Sequence, residues 1–188
     1  MIILQQTHET LCLVFGHAPE VLLNVIPHME EVLQGGSHRL RILTTRTLGT
    51  IFGSPSVGAT ASSGHQSIAE SYHSTWQMWL GRRADKSVNV RVAWVESVGD
   101  ILHHQPELRP IVEGVSIVIL DTLYPEFLTS DPSQVALLEK LTDVEDKVRA
   151  ATCKVFGALD YEVAAHHVSV ETLKSLGDRL RDKKVRCD

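Results

Sequence analysis

The strongest constraint on the fold is a short frame that this 188-residue chain contains three times. Each copy has an aliphatic residue directly before an arginine, and a glycine eight residues after that arginine. The arginine and glycine pairs are Arg41 and Gly49, Arg91 and Gly99, and Arg149 and Gly157. A repeated frame of this kind predicts stacked copies of one supersecondary unit, each burying its apolar face against its neighbours.

The copies have the periodicity of a helix. In the second copy, apolar and small residues recur at steps of three and four, which is the helical period. They form two stripes, Val88, Val92, Val95, Gly99 and Leu102 in one and Val90, Trp94, Val98 and Ile101 in the other. Two apolar stripes on one helix predict burial on two sides, as expected for an inner helix of a stacked array.

The spacing of the copies indicates the repeat class. The arginines are 50 and 58 residues apart, somewhat more than the roughly 40–47 residues of HEAT-type helical repeats. We therefore predict an all-α fold, an α-solenoid of about three to four HEAT-like repeats. We divide this continuous solenoid into first repeats at 1–53, a flexible Gly-, Ser- and Ala-rich insertion at 54–71, and further repeats at 72–188. A strand at 115–120 is an alternative that the helical neighbours disfavour.

The end of the chain repeats the start of a frame in shortened form. Arg186 follows Asp182 by four residues, whereas Arg91 follows Asp85 by six. An array that stops at the first turn of a repeat leaves an apolar face without a cap. We therefore expect the last repeat to be truncated, in a fragment of a longer solenoid or an irregular gene model.

The aspartates and arginines of the frame predict a structural ladder. Asp85 and Asp143 each stand six residues before the frame arginine, Arg91 or Arg149. An aspartate at a helix start accepts hydrogen bonds from free backbone N–H groups. The arginine, including Arg41 of the first copy, then reaches the equivalent aspartate or the loop carbonyls of an adjacent repeat. The first copy lacks the aspartate, so we expect Ser37 to cap that helix, and we expect the late glycines to admit a neighbouring helix.

Composition and motifs argue against several functional classes. A net charge of −5 disfavours a dedicated nucleic-acid binder with direct sequence readout, and no apolar run is long enough for a membrane span. Three cysteines without a C-x-x-C pair indicate reduced intracellular thiols, in the nucleus or the cytosol. The adjacent histidine pairs do not have metal-ligand spacing, and no nucleophile, base and orienting group assemble. We predict a protein that is not an enzyme and has no metal site.

One segment stands out as a candidate partner-binding surface. In the sequence WLGRRADK, three basic residues, Arg82, Arg83 and Lys86, follow Trp79 closely. Basic groups beside aromatic rings at a repeat junction bind an acidic peptide or a polyphosphate by charge-assisted hydrogen bonds. The alternative is that the tryptophans belong to the core and the basic residues are only solvated.

Four segments resemble a known family across most of the chain. They are VLLNVIPHMEEVL, RTLGTIFG, STWQMWLGRRADKSVNVRVAWVE and LRDKKVR, which occur in this order between residues 21 and 186. They resemble the cohesin regulators named for precocious dissociation of sisters, in their fungal form. The run from Trp76 to Ser87 is the most specific part of the likeness.

The resemblance implies a non-enzymatic regulatory subunit of cohesin, acting in sister-chromatid cohesion, chromosome segregation and repair during the cell cycle. It implies that the protein binds the kleisin and the wings-apart releasing factor in the nucleus, with indirect chromatin association and no membrane contact. We expect no cofactor. Some relatives bind an inositol polyphosphate, but no residues of this chain can be assigned to that site. A HEAT-repeat adaptor of nuclear transport, or a phosphatase scaffold, is the alternative.

Overall fold

The computed structural model describes residues 2–54, 68–104, 137, 139–159, 170–179 and 181–182. The chain forms two compact units, Met1–Gln105 and Pro106–Asp188. Every regular element in the described residues is helical, which confirms the all-α prediction. The alternative strand at 115–120 lies outside the described residues.

The first unit contains seven α-helices within its described residues. They are α1 Ile2–His17, α2 Pro19–Leu23, α3 Ile26–Gly35, α4 His38–Phe52, α5 Ile68–Ser71, α6 His73–Leu80 and α7 Val88–His104. A 3₁₀ turn, Gly81–Ala84, joins α6 to the loop before α7. The helices α4 and α7 carry the first two copies of the frame.

Local sequence explains the ends of these helices. Pro27 lies in the first turn of α3, where its missing N–H costs no hydrogen bond, and the chain breaks just before it, at residues 24–25. Ser37 is the N-cap of α4 and its Oγ accepts from the N–H of Leu40 at 3.4 Å. The cap by Ser37 confirms the sequence prediction.

The two framed helices of the first unit run parallel and side by side. Gly49 of α4 lies against Ser97 of α7 so closely that an added Cβ would come within 2.7 Å of Ser97 Oγ. One turn farther along, Gly53 lies against Ile101, because its Cβ would be 3.2 Å from an Ile101 side-chain carbon. The late glycine of the first frame therefore admits the neighbouring helix, as predicted. The first and second copies of the frame are therefore neighbours within the first unit.

The remaining helices of the unit form the flanks of this pair. On one side α1 packs on α4, with His8 Nδ1 3.0 Å from Thr47 Oγ1. Behind the pair, α3 packs on α6, and Thr75 Oγ1 donates to Glu30 Oε1 at 2.5 Å. The unit thus has one row of α1, α4 and α7 and a second row of α3 and α6, the two-layer arrangement of a helical repeat array.

An aromatic cluster fills the core between the rows. Trp76 and Trp79 stack with ring centroids 5.1 Å apart, Trp94 is 5.8 Å from Trp79, and Phe52 is 4.9 Å from Trp76. The second stripe of α7 is fully buried along its length. The first stripe is buried only in part, because Val92 is half-buried. The prediction that α7 is buried on two sides is therefore confirmed for the second stripe and only partly correct for the first.

The predicted insertion at 54–71 falls mostly outside the described residues, which resume at Ile68. Its last four residues, Ile68–Ser71, form the short helix α5, in which Ile68 and Ala69 are buried. These two apolar side chains explain why the helical part of the chain resumes earlier than its Gly- and Ser-rich composition indicates.

The second unit contains the third copy of the frame. Its described elements are a 3₁₀ turn, Lys140–Thr142, followed by α8, Asp146–Ala158, and α9, Val170–Arg179. α8 buries Val148, Thr152 and Val155. Nothing among the described residues lies within 4 Å of a Cβ added at Gly157. The prediction that each late glycine admits a neighbouring helix is therefore wrong for Gly157, which is exposed.

Candidate partner-binding surface and arginine ladder

The first rung of the ladder is a buried ion pair between consecutive frames. Arg41 Nε donates to Asp85 Oδ2 and Arg41 Nη2 donates to Asp85 Oδ1, both at 2.9 Å. Arg41 Nη1 donates to the carbonyl of Gly36 at 2.7 Å. This two-point pairing joins residues 44 positions apart and fixes the start of α4 against the loop before α7.

Asp85 is the centre of this network. Besides Arg41, its carboxylate accepts from Arg82 Nη1 at 3.1 Å and from the N–H of Ser87 at 2.8 Å. Burial raises the pKa of Asp85, but the hydrogen bonds from Arg41 and Ser87 and the two nearby positive charges outweigh it. The pKa of Asp85 therefore lies below its ordinary value, and the carboxylate is ionised at neutral pH.

The second unit contains an equivalent rung. Arg149 Nε and Nη2 both lie 2.7 Å from Asp182 Oδ2. Arg149 Nη1 donates to the carbonyls of Asp143 and Val144 at 2.8 and 3.0 Å. In both rungs one nitrogen binds backbone at the start of its own helix, and the others bind the aspartate of the following frame. Asp182 occupies that position although its frame is shortened.

In the middle frame, the arginine makes the same kind of hydrogen bond to the backbone before its own helix. Arg91 Nη1 donates to the carbonyl of Asp85 at 2.9 Å, six residues earlier. Arg41 binds the carbonyl five residues earlier, and Arg149 binds those five and six residues earlier. All three frame arginines therefore close the turn that precedes their own helix.

The aspartates act one turn earlier than the sequence indicated. Asp85 Oδ1 accepts from the N–H of Ser87, and Asp143 Oδ1 accepts from the N–H of Glu145 at 3.0 Å. Each aspartate lies three residues before the first residue of its helix, α7 or α8. They stabilise the turn that leads into the helix, as Asx turns do, rather than capping the helix itself.

The predicted partner-binding residues have different environments. Trp79 is fully buried and its Nε1–H donates to the carbonyl of Thr45 at 2.8 Å. The prediction that Trp79 belongs to a partner-binding surface is therefore wrong. Trp79 is a core residue, because no part of its ring reaches solvent. Arg82 is held by the carbonyl of Leu33 at 2.9 Å and by Asp85. Arg83 is half-buried and Lys86 is exposed.

Three exposed residues in the first turn of α4, near the paired Arg41, were missed in the sequence. The Arg41 to Asp85 pair places the first turn of α4 beside the loop that carries Lys86. His38, Arg39 and Leu40 are exposed in that turn. We use the name basic edge for His38, Arg39, Leu40, Arg82, Arg83 and Lys86. No local signal joins its two halves, because they are more than forty residues apart in the chain.

A histidine and a cysteine meet between α1 and α4 without forming a reactive pair. Cys12 Sγ lies 3.6 Å from His8 Nδ1, and Thr47 Oγ1 donates to the carbonyl of Leu43 at 3.0 Å. Burial raises the pKa of the Cys12 thiol, and burial together with Arg46 lowers the pKa of His8. Both side chains are neutral at physiological pH, so the pair is a packing contact.

The described part of the chain contains neither a metal-binding cluster nor a helix that could span a membrane. No group of three or more His, Cys, Asp or Glu side chains in the described part of the chain could hold a metal ion. No helix in the same residues is long and apolar enough to cross a membrane.

Comparison with known proteins places these features in a family. The model of the sister chromatid cohesion protein PDS5 family matches residues 1–187. The sister chromatid cohesion protein pds5 of Schizosaccharomyces pombe is 29% identical over 179 residues, which cover 95% of this chain and 12% of that protein. The PDS5 homolog A of Arabidopsis thaliana is 25% identical over 181 residues, which cover 95% of this chain and 9% of that protein.

A solved structure shows the same fold. The structure of the Pds5–Scc1 complex matches with a TM-score of 0.69 and 18% identity, over 97% of this chain and 23% of that chain. This likeness confirms the predicted α-solenoid of HEAT-like repeats. The chain spans about an eighth or less of the length of the curated relatives that it matches. Because the family model covers nearly every residue, the chain belongs to the PDS5 family of sister chromatid cohesion proteins.

Proposed function

We propose that this chain is part of a non-enzymatic regulatory scaffold of cohesin. The observation that carries the proposal is the family match, which extends over residues 1–187. The contacts of the buried charged residues also support the proposal. The buried ions Arg41 and Asp85 bind each other and backbone at the frame turns, so they maintain the stack. A scaffold needs such a rigid array and an exposed surface for partners.

The partner that we propose is the kleisin subunit of cohesin. The structural neighbour was solved as a complex of Pds5 with Scc1, and this chain has the same fold over almost its whole length. In the full-length protein we further propose contact with the wings-apart releasing factor, nuclear localisation, and indirect association with chromatin. No cofactor is required for this role.

The proposal is tested by copurification. The tagged chain, and separately the full-length protein that contains it, are used to recover partners from nuclear extract. We expect cohesin subunits, including the kleisin, in both samples, and the releasing factor with the full-length protein. Recovery of nuclear-transport or phosphatase subunits without cohesin would contradict the proposal and favour the adaptor alternative.

A direct titration complements the extract experiment. Purified chain is titrated with purified kleisin, and binding is measured by calorimetry or fluorescence anisotropy. The melting curve of the same sample shows that the chain is folded. A folded chain that fails to bind the kleisin would show that this part of the protein does not carry the contact.

A further inference from the structure

The basic edge is a surface that the ladder itself assembles. The two-point pair of Arg41 with Asp85 holds the first turn of α4 beside the loop that leads into α7. Arg82 adds a second tie, since its Nη1 binds both the carbonyl of Leu33 and Asp85. The two halves of the edge are therefore fixed in position before any partner arrives, which lowers the entropic cost of binding.

The two segments that form the edge contain more basic side chains than carboxylates. The segments 36–40 and 81–90 contain one carboxylate, Asp85, which is buried and paired with Arg41 and Arg82. Arg39 and Lys86 are exposed, and neither forms an ion pair or side-chain hydrogen bond among the described residues. The local charge is thus opposite to the net charge of −5 of the whole chain. A partner with acidic side chains is attracted to this edge.

An exposed aliphatic side chain lies within the same edge. Leu40 is 41% exposed, although the aliphatic residues at the equivalent frame positions, Val90 and Val148, are fully buried. Its neighbour Arg39 is one of the two unpaired cations. Apolar area beside free cations fits an extended peptide segment that carries both acidic and aliphatic side chains, better than a compact anion, which needs convergent donors.

We propose that the basic edge binds an acidic segment of a partner protein in which an aliphatic residue packs on Leu40. Arg39 and Lys86 contact the acidic side chains, whereas Arg41 and Arg82 position the two halves of the edge. This inference rests on the proposed scaffold function, since it specifies the chemistry of the partner segment. Compared with the surface predicted from the sequence, this proposal adds Arg39 and Leu40 as binding residues and leaves out Trp79.

The test uses the whole chain and a defined probe. A short fluorescein-labelled peptide of alternating glutamate and leucine is titrated with the parent chain, with an Arg39→Glu, Lys86→Glu double variant, and with a Lys147→Glu, Lys154→Glu control. The control changes net charge equally, at exposed lysines of α8 in the second unit. We expect the edge variant to bind about ten-fold more weakly or worse, and the control to bind as the parent does.

Two further measurements distinguish recognition of carboxylate and aliphatic side chains from a general effect of charge. A peptide with glutamine in place of glutamate is expected not to bind, and Leu40→Ser is expected to weaken binding of the glutamate peptide. The melting temperature of each variant should match that of the parent, because the substituted side chains are exposed. Equal binding by the edge variant and the parent, equal binding of the glutamine peptide, or equal loss in the control would overturn the inference.

Titration of the parent chain and the edge variant with purified kleisin distinguishes failure of this inference from failure of the proposed function. Kleisin that binds the parent chain but not the edge variant supports both. Kleisin that binds both chains equally overturns the edge as the contact and leaves the scaffold function standing. A parent chain that binds the glutamate peptide but not the kleisin contradicts the proposed partner, and shows that the edge selects an acidic segment of another protein.

Discussion

Asp85 is the residue on which the ion network of the first unit converges. Two arginines and one backbone N–H bind its carboxylate, and its side chain is only 3% exposed. Removing one member of a buried pair leaves the remaining charge without compensation, which costs about 3–5 kcal/mol. We expect Asp85→Asn to lose about 3 kcal/mol of unfolding free energy at neutral pH, measured by urea unfolding with tryptophan fluorescence.

The pH dependence of this loss follows from the pKa of Asp85, which the folded state lowers below 3.8. The stabilisation is fully present above the unfolded-state pKa and is lost as the pH falls through the folded-state pKa. The parent chain should therefore lose more unfolding free energy than Asp85→Asn as the pH is lowered through that range. Parallel pH profiles for the two chains would contradict the assignment.

His8 makes a second pH-dependent contribution to the stability of the fold, at a higher pH than Asp85. Its pKa is below the ordinary 6.5 because of burial and the charge of Arg46. A histidine with a lowered folded-state pKa stabilises the fold fully above the unfolded-state pKa, and this contribution falls as the pH drops through the folded-state pKa. We expect the melting temperature of the parent to fall more than that of His8→Gln below about pH 6.5. A steeper fall in His8→Gln would show that His8 gains a stabilising partner when it is protonated.

At the scale of helices, the close approach of α4 and α7 depends on one glycine. A Cβ at Gly49 would overlap Ser97, whereas a Cβ at Gly157 meets nothing among the described residues. Gly49→Ala should therefore destabilise the chain by about 1–3 kcal/mol through overpacking. Gly157→Ala should be neutral or stabilising by up to about 1 kcal/mol, because alanine is the better helix former. Equal effects of the two substitutions in urea unfolding would contradict the packing assigned to Gly49.

The two stripes of α7 should differ in their tolerance of charge. Val98 is fully buried in the complete stripe, whereas Val92 is half-buried. Val98→Asp places an unpaired carboxylate in the core and should cost several kcal/mol, enough to unfold the first unit. Val92→Asp can turn its carboxylate to water and should cost less than half as much. Circular dichroism of the two variants measures the difference.

The sequence was sufficient for the elements and insufficient for several contacts. Helical periodicity and frame spacing predicted α4, α7 and α8, because one turn of a helix is a local pattern. The role of Trp79 was ambiguous, because the residues that cover an aromatic ring come from distant segments such as Thr45. Arg39 carried no local signal, because its proximity to the Lys86 loop depends on the pairing of Arg41 with Asp85.

At the scale of the whole molecule, the central claim is that the first two frames stack side by side within the first unit, and that in each unit an arginine of one frame binds the aspartate of the next. The claim explains the repeated frame, the position of Gly49 and the assembly of the basic edge.

A double-mutant cycle on Arg41→Met and Asp85→Asn tests this claim most directly, with the exposed pair Arg46 and Glu96 as the control. Unfolding free energies of the single and double variants give the coupling energy of each pair. We predict a coupling of about 2 kcal/mol or more for Arg41 with Asp85 and no more than about 1 kcal/mol for the exposed pair. Additive effects at Arg41 and Asp85 would contradict direct pairing between consecutive frames.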